Sequence, residues 1–254
     1  MKYQELAKIE AHSHAGAIHI MCLHAPNIAS GAKPGQFVMV YLDSGEHLLP
    51  RPVSLHNVDK DRGIISLVYV VAGAGTKLIS EWLPGHTVRI LGPLGNGFDF
   101  ELYRAGERVA LVGGGFGVAP LYYLARELNK KSVGMDVYLG FSKDTPMLTK
   151  CFETLADNLA VATEDGSGSH KGYVTDLLPE NPVYTSILSC GPIPMLKAVS
   201  QYANVKGIPC QVSVEERMAC GLGACKGCVV KTMVGYRLCC INGPVFGSKE
   251  VNFG

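Results

Sequence analysis

The chain has 254 residues, of which 47% are hydrophobic and 18% charged, and its net charge is +1. This length accommodates two compact domains and a small appendage, and the composition excludes general disorder. The near-zero charge gives no electrostatic reason to expect a nucleic-acid or membrane-surface partner. No membrane span or signal peptide is recognisable. The odd number of clustered cysteines fits a reducing compartment, so we expect a cytoplasmic protein.

Residues 1–103 have the pattern of a small antiparallel barrel. Short β-rich runs alternate with turns that contain Gly and Pro. We predict strands at residues 17–23, 36–42, 63–71 and 87–91. One helix interrupts them at residues 76–83, with Thr76 as its N-cap and Pro84-Gly85 as its stop.

Residues 104–210 alternate strands with helices, which indicates a doubly wound parallel sheet with helices on both faces. The strands are predicted at residues 108–112, 135–141, 159–163 and 186–189, and the helices at residues 120–129, 146–156 and 194–202. The remaining residues, 211–254, form a cysteine-rich tail with too few apolar residues to fold without a bound metal centre.

Five of the nine cysteines lie in the tail, at Cys220, Cys225, Cys228, Cys239 and Cys240. The first three have the C-x4-C-x2-C spacing typical of plant-type [2Fe–2S] sites. A structural four-cysteine zinc site is the alternative, but such sites usually pair two C-x2-C knuckles and this tail has one. The fourth ligand is Cys239 or Cys240, and the spacing does not choose between them.

Two further motifs have the residue types of a nucleotide site. Arg51-Pro52-Val53-Ser54 combines a cation with a hydroxyl, and Gly75-Thr76 opens a helix whose free N–H groups suit a pyrophosphate. An ordinary strand and a capped helix explain these residues equally well. The glycine-rich turn at residues 113–117 joins a strand to a helix, as dinucleotide-binding turns do, although it departs from G-x-G-x-x-G.

The order of barrel, doubly wound domain and cluster tail resembles the ferredoxin–NADP reductase-like flavoprotein superfamily. Glu-Glu-Arg-Met-Ala-Cys-Gly-Leu-Gly-Ala-Cys from residue 215 and Cys-Ile-Asn-Gly-Pro-Val-Phe from residue 240 are similar to the electron-transfer subunits of bacterial NAD-dependent (type B) dihydroorotate dehydrogenases. The resemblance covers essentially the whole chain. It implies a six-stranded FAD-binding barrel, a nucleotide-binding α/β domain and a small [2Fe–2S] domain.

The resemblance also implies site residues. Those for FAD are Arg51, Pro52, Val53, Ser54, Val68, Tyr69, Val70, Gly75 and Thr76, and Val70 stands where many relatives have Arg. Those for NAD are Gly113, Gly114, Gly115, Gly117, Cys190, Gly191 and Pro192. The implied cluster ligands are Cys220, Cys225, Cys228 and Cys240, which leaves Cys239 as a spare thiol.

The implied function is electron transfer during oxidation of dihydroorotate to orotate, in pyrimidine biosynthesis. An FMN-containing catalytic partner, in a heterotetramer with two copies of each subunit, would send single electrons through the cluster to FAD, which reduces NAD+. One FAD and one cluster are expected per subunit, and no catalytic acid–base residue. Two alternatives remain: a free-standing or differently partnered NAD(P)H:ferredoxin-type oxidoreductase subunit, and a zinc-stabilised nucleotide-binding interaction module.

Overall fold

The computed structural model describes residues 1–42, 45 and 48–254. Six antiparallel strands close its first part into a barrel: β1 (Tyr3–Ala15), β2 (Ile18–His24), β3 (Phe37–Val40), β4 (Arg51–Asp59), β5 (Ile64–Val70) and β6 (Thr87–Leu94). Their order is β1-β2-β5-β4-β3-β6, and β6 pairs with β1. Alternate side chains such as Leu23, Leu55 and Leu67 are fully buried in the barrel core, as the two-residue period of a strand requires. The six-stranded barrel is confirmed.

Two short helices accompany the barrel, α1 (Pro26–Gly31) and α2 (Ala74–Ser80). The prediction that α2 spans residues 76–83 with Thr76 as N-cap is wrong. Gly73 occupies the N-cap, and the Thr76 hydroxyl reaches back to accept hydrogen bonds from the N–H groups of Ala72 (2.9 Å) and Gly73 (3.1 Å). Thr76 therefore lies in the first turn of the helix, and its hydroxyl bonds the backbone N–H groups that precede the helix.

The second part is a parallel sheet of β7 (Arg108–Gly114), β8 (Gly134–Phe141), β9 (Asn158–Thr163), β10 (His170–Lys171), β11 (Ser186–Cys190) and β12 (Cys210–Ser213). Their order is β10-β9-β8-β7-β11-β12. Helices α3 (Val118–Lys130) and α5 (Ile193–Lys206) cover opposite faces. Val109 and Leu111 of β7 belong to the core beneath α3, whereas Ala110 and Val112 belong to the core beneath α5. The doubly wound arrangement is confirmed.

One predicted helix of this part is much shorter than expected. Helix α4 (Pro146–Thr149) is followed by a 3₁₀ turn at Lys150–Phe152, whereas the sequence predicts a helix over residues 146–156. The Cys151 thiol donates to the Leu148 carbonyl at 3.1 Å, and the Thr149 hydroxyl bonds the Pro146 carbonyl at 3.4 Å. When side chains donate hydrogen bonds to helix carbonyl groups, they compete with the backbone N–H groups for those carbonyls. This competition shortens the helix.

The tail returns to the parallel sheet. It contains the hairpin β13 (Val229–Thr232) and β14 (Gly235–Leu238), the single turn α6 (Cys239–Asn242) and β15 (Val245–Gly247). Strand β15 pairs antiparallel with β12 and becomes the seventh strand of the sheet. The expected boundary between residues 210 and 211 therefore falls inside β12, whose pairing with β11 includes Ser213.

Candidate functional site

A cleft of about 240 Å³ lies where the barrel, the α/β domain and the tail meet, and we call it the interdomain cleft. It is lined by Phe37, Arg51, Pro52, Val53, Ser54, Val68, Tyr69, Thr76, Phe116, Ala119, Pro120, Ser213, Val214, Glu215, Glu216, Met218 and Pro244. The structure thus brings together the Arg51–Ser54 motif, the end of β5 and Thr76, which are separate in the sequence. Val70, the last residue of β5, is not among the lining residues.

Arg51 lies at the mouth of this cleft, against the first turn of α2. A Cβ placed on Gly75 would overlap the Arg51 guanidinium, so the missing side chain of Gly75 lets the cation approach the helix backbone. One guanidinium nitrogen donates to the Leu49 carbonyl at 2.7 Å, which fixes the direction of the side chain. Guanidinium groups bind phosphate oxygens through paired hydrogen bonds, so Arg51 brings the residue type of a phosphate site to the mouth of the cleft.

Tyr69 lines the cleft, but its hydroxyl is engaged within the barrel. The Tyr69 hydroxyl and the Nε2 atom of His12 form a hydrogen bond of 2.9 Å. The Tyr69 ring also stacks on His19, with 5.2 Å between ring centroids. Burial raises the pKa of Tyr69, so the phenol stays neutral. These contacts orient β5 beside the cleft, and the hydroxyl is not free for a ligand.

A second cavity, of about 530 Å³, opens at the carboxyl ends of the parallel strands, and we call it the sheet-edge pocket. It is lined by Gly114, Gly115, Gly140, Phe141, Ser142, Glu164, Gly172, Tyr173, Val174, Thr175, Pro192, Pro194, Met195 and Ala198. In doubly wound folds this edge is where ligands bind. Three residues predicted for NAD, Gly114, Gly115 and Pro192, line the pocket.

The other residues predicted for NAD lie beneath the pocket and shape it. A Cβ on Gly117 would stand 2.6 Å from the Cys190 carbonyl and from the Gly191 backbone, so the two glycine turns touch. A Cβ on Gly113 would meet Val118 at 2.8 Å. Cys190 is almost fully buried, and burial raises the pKa of its thiol. These residues allow the turn at residues 113–117 to lie close to the turn at residues 190–192. Their side chains do not line the pocket.

We call residues 214–244, between β12 and β15, the cysteine loop, and four of its thiols lie in two pairs. The Cys220 sulfur accepts hydrogen bonds from the N–H groups of Leu222 and Cys225, each at 3.4 Å, and also interacts with the Cys225 thiol. The Cys228 sulfur accepts the Cys240 N–H at 3.5 Å, and these two thiols also interact. In a [2Fe–2S] cluster each iron takes two protein ligands, and two thiol pairs suit that division.

The electrostatics of the loop differ between its two pairs. Burial acts to raise the pKa of Cys220, but hydrogen bonds from Cys225 and Leu222 outweigh it and bring that pKa to about 7. Burial, followed by the interaction with Cys228, raises the pKa of Cys240 to about 11. Backbone N–H groups that point at a sulfur stabilise the thiolate, which is the form that binds iron.

The Cys239 thiol makes its hydrogen bond to the backbone rather than to another thiol. Its Sγ donates to the Val214 carbonyl at 3.4 Å, and its side chain is fully buried in the core beneath α5. Burial raises the pKa of Cys239, so its thiol stays protonated. Of the two adjacent cysteines, Cys240 is therefore the one whose sulfur belongs to the paired set.

Comparison with known proteins identifies the family. Residues 4–98 match the oxidoreductase FAD-binding domain, and residues 215–252 match the iron–sulfur cluster binding domain of dihydroorotate dehydrogenase B. A protein of Geobacillus sp. (strain WCH70), named dihydroorotate dehydrogenase B (NAD(+)), electron transfer subunit, is 40% identical over 99% of both chains. A protein of the same name from Bacillus pumilus (strain SAFR-032) is 39% identical over 99% of this chain and 98% of its own. The chain belongs to this family.

A solved structure supports the fold of this electron-transfer subunit. It is a chain of an NADH-dependent reduced ferredoxin-NADP oxidoreductase, a structure described for its insights into flavin-based electron bifurcation. That chain superposes with a TM-score of 0.86 and 28% identity, covering 98% of this chain and 90% of its own. Family membership confirms the expected oxidoreductase class with FAD and an iron–sulfur cluster as cofactors. Among the described residues no helix is both long and apolar enough to cross a membrane.

Glu215 is not among the site residues predicted for this subunit, although it lines the interdomain cleft. Its side chain is accessible to solvent from the mouth of the cleft, yet the surrounding protein desolvates the carboxylate and raises its pKa. Its charge also contributes to the raised pKa of Cys190. In the sequence, Glu215 and Glu216 are noticeable only as the residues that precede the cysteine motif. They stand two and three residues past the end of β12, at the carboxyl end of a strand of the parallel sheet, and this position is the available signal.

Proposed function

We propose that this chain carries electrons from a dihydroorotate-oxidising partner to NAD+. The overall reaction is dihydroorotate + NAD+ → orotate + NADH + H+, so two electrons cross the chain in each turnover. When bound, the cluster transfers electrons singly, and the flavin exchanges both single electrons and hydride. The residues of this chain bind and orient these groups. No acid–base step is assigned to them, because the substrate carbon chemistry belongs to the partner.

The observation that supports this proposal most is that the cysteine loop, the interdomain cleft and the sheet-edge pocket adjoin one another. Met218 lines the interdomain cleft and precedes Cys220 by two residues, a length of chain that spans at most about 7 Å. On the other side, Phe116 lines the same cleft, and the adjacent Gly114 and Gly115 line the sheet-edge pocket. A flavin in the interdomain cleft would adjoin the cysteine loop on one side and the nicotinamide pocket on the other.

For FAD, the proposal assigns the phosphates to Arg51 and to the turn at Gly75 and Thr76, and the isoalloxazine to the cleft. The contact of the Arg51 guanidinium with Gly75 supports the phosphate assignment. The Thr76 hydroxyl is committed to the backbone of residues 72 and 73, so Thr76 would contribute through its N–H group. The cleft wall of Pro52, Val53, Ser54, Val68 and Tyr69 would hold the ring system, whereas Val70 adds no phosphate contact.

For the cluster, the proposed ligands are Cys220, Cys225, Cys228 and Cys240. Two interacting thiol pairs and the N–H groups directed at Cys220 and Cys228 support this set. The paired backbone turns of Gly114, Gly115 and Pro192 support NAD binding in the sheet-edge pocket. The proposed domain limits are 1–103, 104–210 and 211–254, with the last strand of the sheet contributed by the tail.

For the assembly, we propose an FMN-containing catalytic subunit as partner, two copies of each subunit, and a cytoplasmic location. The relatives are named as electron-transfer subunits, which supports a separate catalytic chain. Analytical ultracentrifugation of the co-expressed pair measures the stoichiometry directly. A sedimenting mass equal to one copy of each subunit would contradict the heterotetramer.

Co-expression with a dihydroorotate-oxidising subunit tests the function. We expect one FAD, two iron atoms and two acid-labile sulfides per chain, and formation of NADH that depends on dihydroorotate. Omitting the partner is the control and should abolish that activity. If the pair binds tightly, contains all its cofactors and still leaves NAD+ unreduced, the proposal fails.

A second candidate is a differently partnered NADH:ferredoxin-type oxidoreductase subunit. This candidate is supported by the ferredoxin-NADP oxidoreductase structure, which is similar to this chain over 98% of its length. Efficient reduction of ferredoxin by NADH with this chain alone, together with failure of the dihydroorotate assay, would select it. Zinc in place of iron and sulfide would select the interaction-module alternative.

A further inference from the structure

Three histidines lie together on the hairpin formed by β1 and β2 of the barrel. His12 and His14 belong to β1 and His19 belongs to β2, and His14 stands directly opposite His19 in the strand pairing. The ring centroids of His14 and His19 are 5.2 Å apart, and those of His12 and His19 are 5.4 Å apart. These histidines line neither the interdomain cleft nor the sheet-edge pocket, so the proposed electron path does not explain them.

The imidazole of His19 is buried without a hydrogen-bond partner from the protein. Only 8% of this residue is exposed, and its ring stacks on the rings of His14 and Tyr69. In the part of the chain that the structure describes, no residue makes a hydrogen bond to either ring nitrogen of His19. Buried polar groups are nearly always bonded to protein, to ordered water or to an ion. The unpaired imidazole therefore indicates a bound species at this end of the barrel.

The three histidines differ in whether their ring nitrogens are free. The Nδ1 atom of His12 bonds the Trp82 carbonyl at 2.8 Å, and its Nε2 atom bonds the Tyr69 hydroxyl at 2.9 Å, so both nitrogens of His12 are engaged. His14 is exposed, and its ring nitrogens, like those of His19, make no hydrogen bond to a described residue. The two imidazoles available to a ligand are therefore those of the opposed pair, His14 and His19.

The separation of these two rings is that of two imidazoles bound to one metal ion. A tetrahedral Zn²⁺ lies about 2.1 Å from each ligating nitrogen, which places the centres of two bound imidazoles about 5 Å apart. The observed separation is 5.2 Å. Burial, followed by the charges of His12 and His14, lowers the pKa of His19, so its imidazole is in the neutral form that binds metals. Lys77 also acts on His19, but its ion pair with Glu81 at 3.2 Å offsets its repulsion of a bound cation.

We propose that His14 and His19 bind a divalent transition-metal ion of the kind that imidazole ligands favour, such as Zn²⁺, with water in its remaining coordination positions. The ion would join β1 to β2 beside the hairpin turn at residues 15–17 and would fix the ring on which Tyr69 stacks. Two protein ligands are fewer than zinc has in structural or catalytic sites, so the bound ion should exchange readily with solution. The site is separate from the cysteine loop and does not depend on the proposed electron path.

Calorimetric titration of the full chain with Zn²⁺ tests this site, with FAD and cluster loaded so that the cysteine ligands are occupied. We expect saturable binding that His14→Gln and His19→Gln each weaken at least about tenfold, because the second imidazole no longer binds intramolecularly. His24→Gln removes another exposed histidine from β2 and is the matched control, which should leave the affinity unchanged. Zn²⁺ should also raise the melting temperature of the unmodified protein and not that of His14→Gln.

Three results would overturn the proposal. If the unmodified protein shows no saturable binding of Zn²⁺, water alone satisfies His19. Equal affinities in the unmodified protein, His14→Gln and His19→Gln would place the ion elsewhere on the chain. Loss of binding in His12→Gln together with retention in His14→Gln would refute the assigned pair. Melting temperatures recorded without zinc identify variants that do not fold, and if His19→Gln is one of them, His14→Gln decides alone because its side chain is exposed.

Discussion

Serine substitutions at Cys239 and Cys240 distinguish the ligand of the cluster from its neighbour. The two residues are adjacent, equally buried and chemically identical, so the comparison controls for composition and position in the chain. Their sulfurs have different partners: Cys240 interacts with Cys228, whereas Cys239 donates to the Val214 carbonyl. We expect Cys240→Ser to lose the cluster and Cys239→Ser to keep it.

Cys239→Ser should change only the stability of the protein, whereas Cys240→Ser should change its iron content. A serine at position 239 can still donate to the Val214 carbonyl, so the exchange of a buried thiol for a hydroxyl should cost about 1–2 kcal/mol of stability. A serine at position 240 removes one of four thiolates. Because binding of a structural metal centre contributes directly to folding, this loss should destabilise the whole cysteine loop. Iron in Cys240→Ser should fall well below one atom per chain.

Iron and sulfide analysis, visible absorption and hydrogen exchange of the tail measure these effects. Cys22→Ser, on β2 of the barrel and remote from the loop, is the control and should leave iron content unchanged. Loss of the cluster in Cys239→Ser together with retention in Cys240→Ser would refute the assignment based on the thiol pairs. It would mean that the sulfurs rearrange when iron binds.

Three further predictions concern the cleft and its supports. Gly75→Ala should weaken FAD binding about tenfold, measured by fluorescence titration, because the added Cβ displaces Arg51; Gly73→Ala, whose Cβ meets no atom within 4 Å, should not. Burial lowers the pKa of His56, so the unfolded state binds more protons below about pH 6.5, and stability should fall with decreasing pH by at most about 1.4 kcal/mol per unit. His56→Gln should flatten that part of a urea-denaturation series. Gly117→Ala should cost about 1–3 kcal/mol in thermal unfolding, because its Cβ would press on backbone rather than on a movable side chain.

Local patterns in the sequence predicted a barrel with four of its six strands and the central strands of the sheet, but they did not predict β1 (Tyr3–Ala15) or β4 (Arg51–Asp59). Strands such as β7 and β8 contain seven and eight residues, long enough for an apolar run to be distinguished from a turn. Strand β15 has three residues, which is too short for any periodicity to be detected. Its pairing with β12 joins residues more than 30 positions apart. The seventh strand of the sheet, which the tail supplies, therefore could not be predicted from local pattern.

Some residues of the candidate site could likewise be predicted from local sequence, and others depend on the tertiary structure. Cysteine spacing predicts the first three proposed ligands, because a tight loop keeps them close in sequence as well as in space. The choice of Cys240 depended on resemblance until the hydrogen bond between Cys239 and Val214 supplied a physical reason. Glu164 and Glu215 follow strands β9 and β12, and their relation to the two cavities depends on strand order. That order is a tertiary property.

The anchoring of the tail explains how a loop with little core of its own can hold a cluster at a fixed distance from a flavin. One arm of the loop continues from β12, and Val214 donates to the Pro244 carbonyl at 2.9 Å. The other arm is held to the barrel by Asn96, whose N–H donates to the Gly243 carbonyl at 2.6 Å. Gly221 packs so closely on Met39 of β3 that an added Cβ would lie 2.7 Å from that side chain. Both arms are thus fixed to the two domains that form the interdomain cleft, so the separation of cluster and cleft is set by rigid strands.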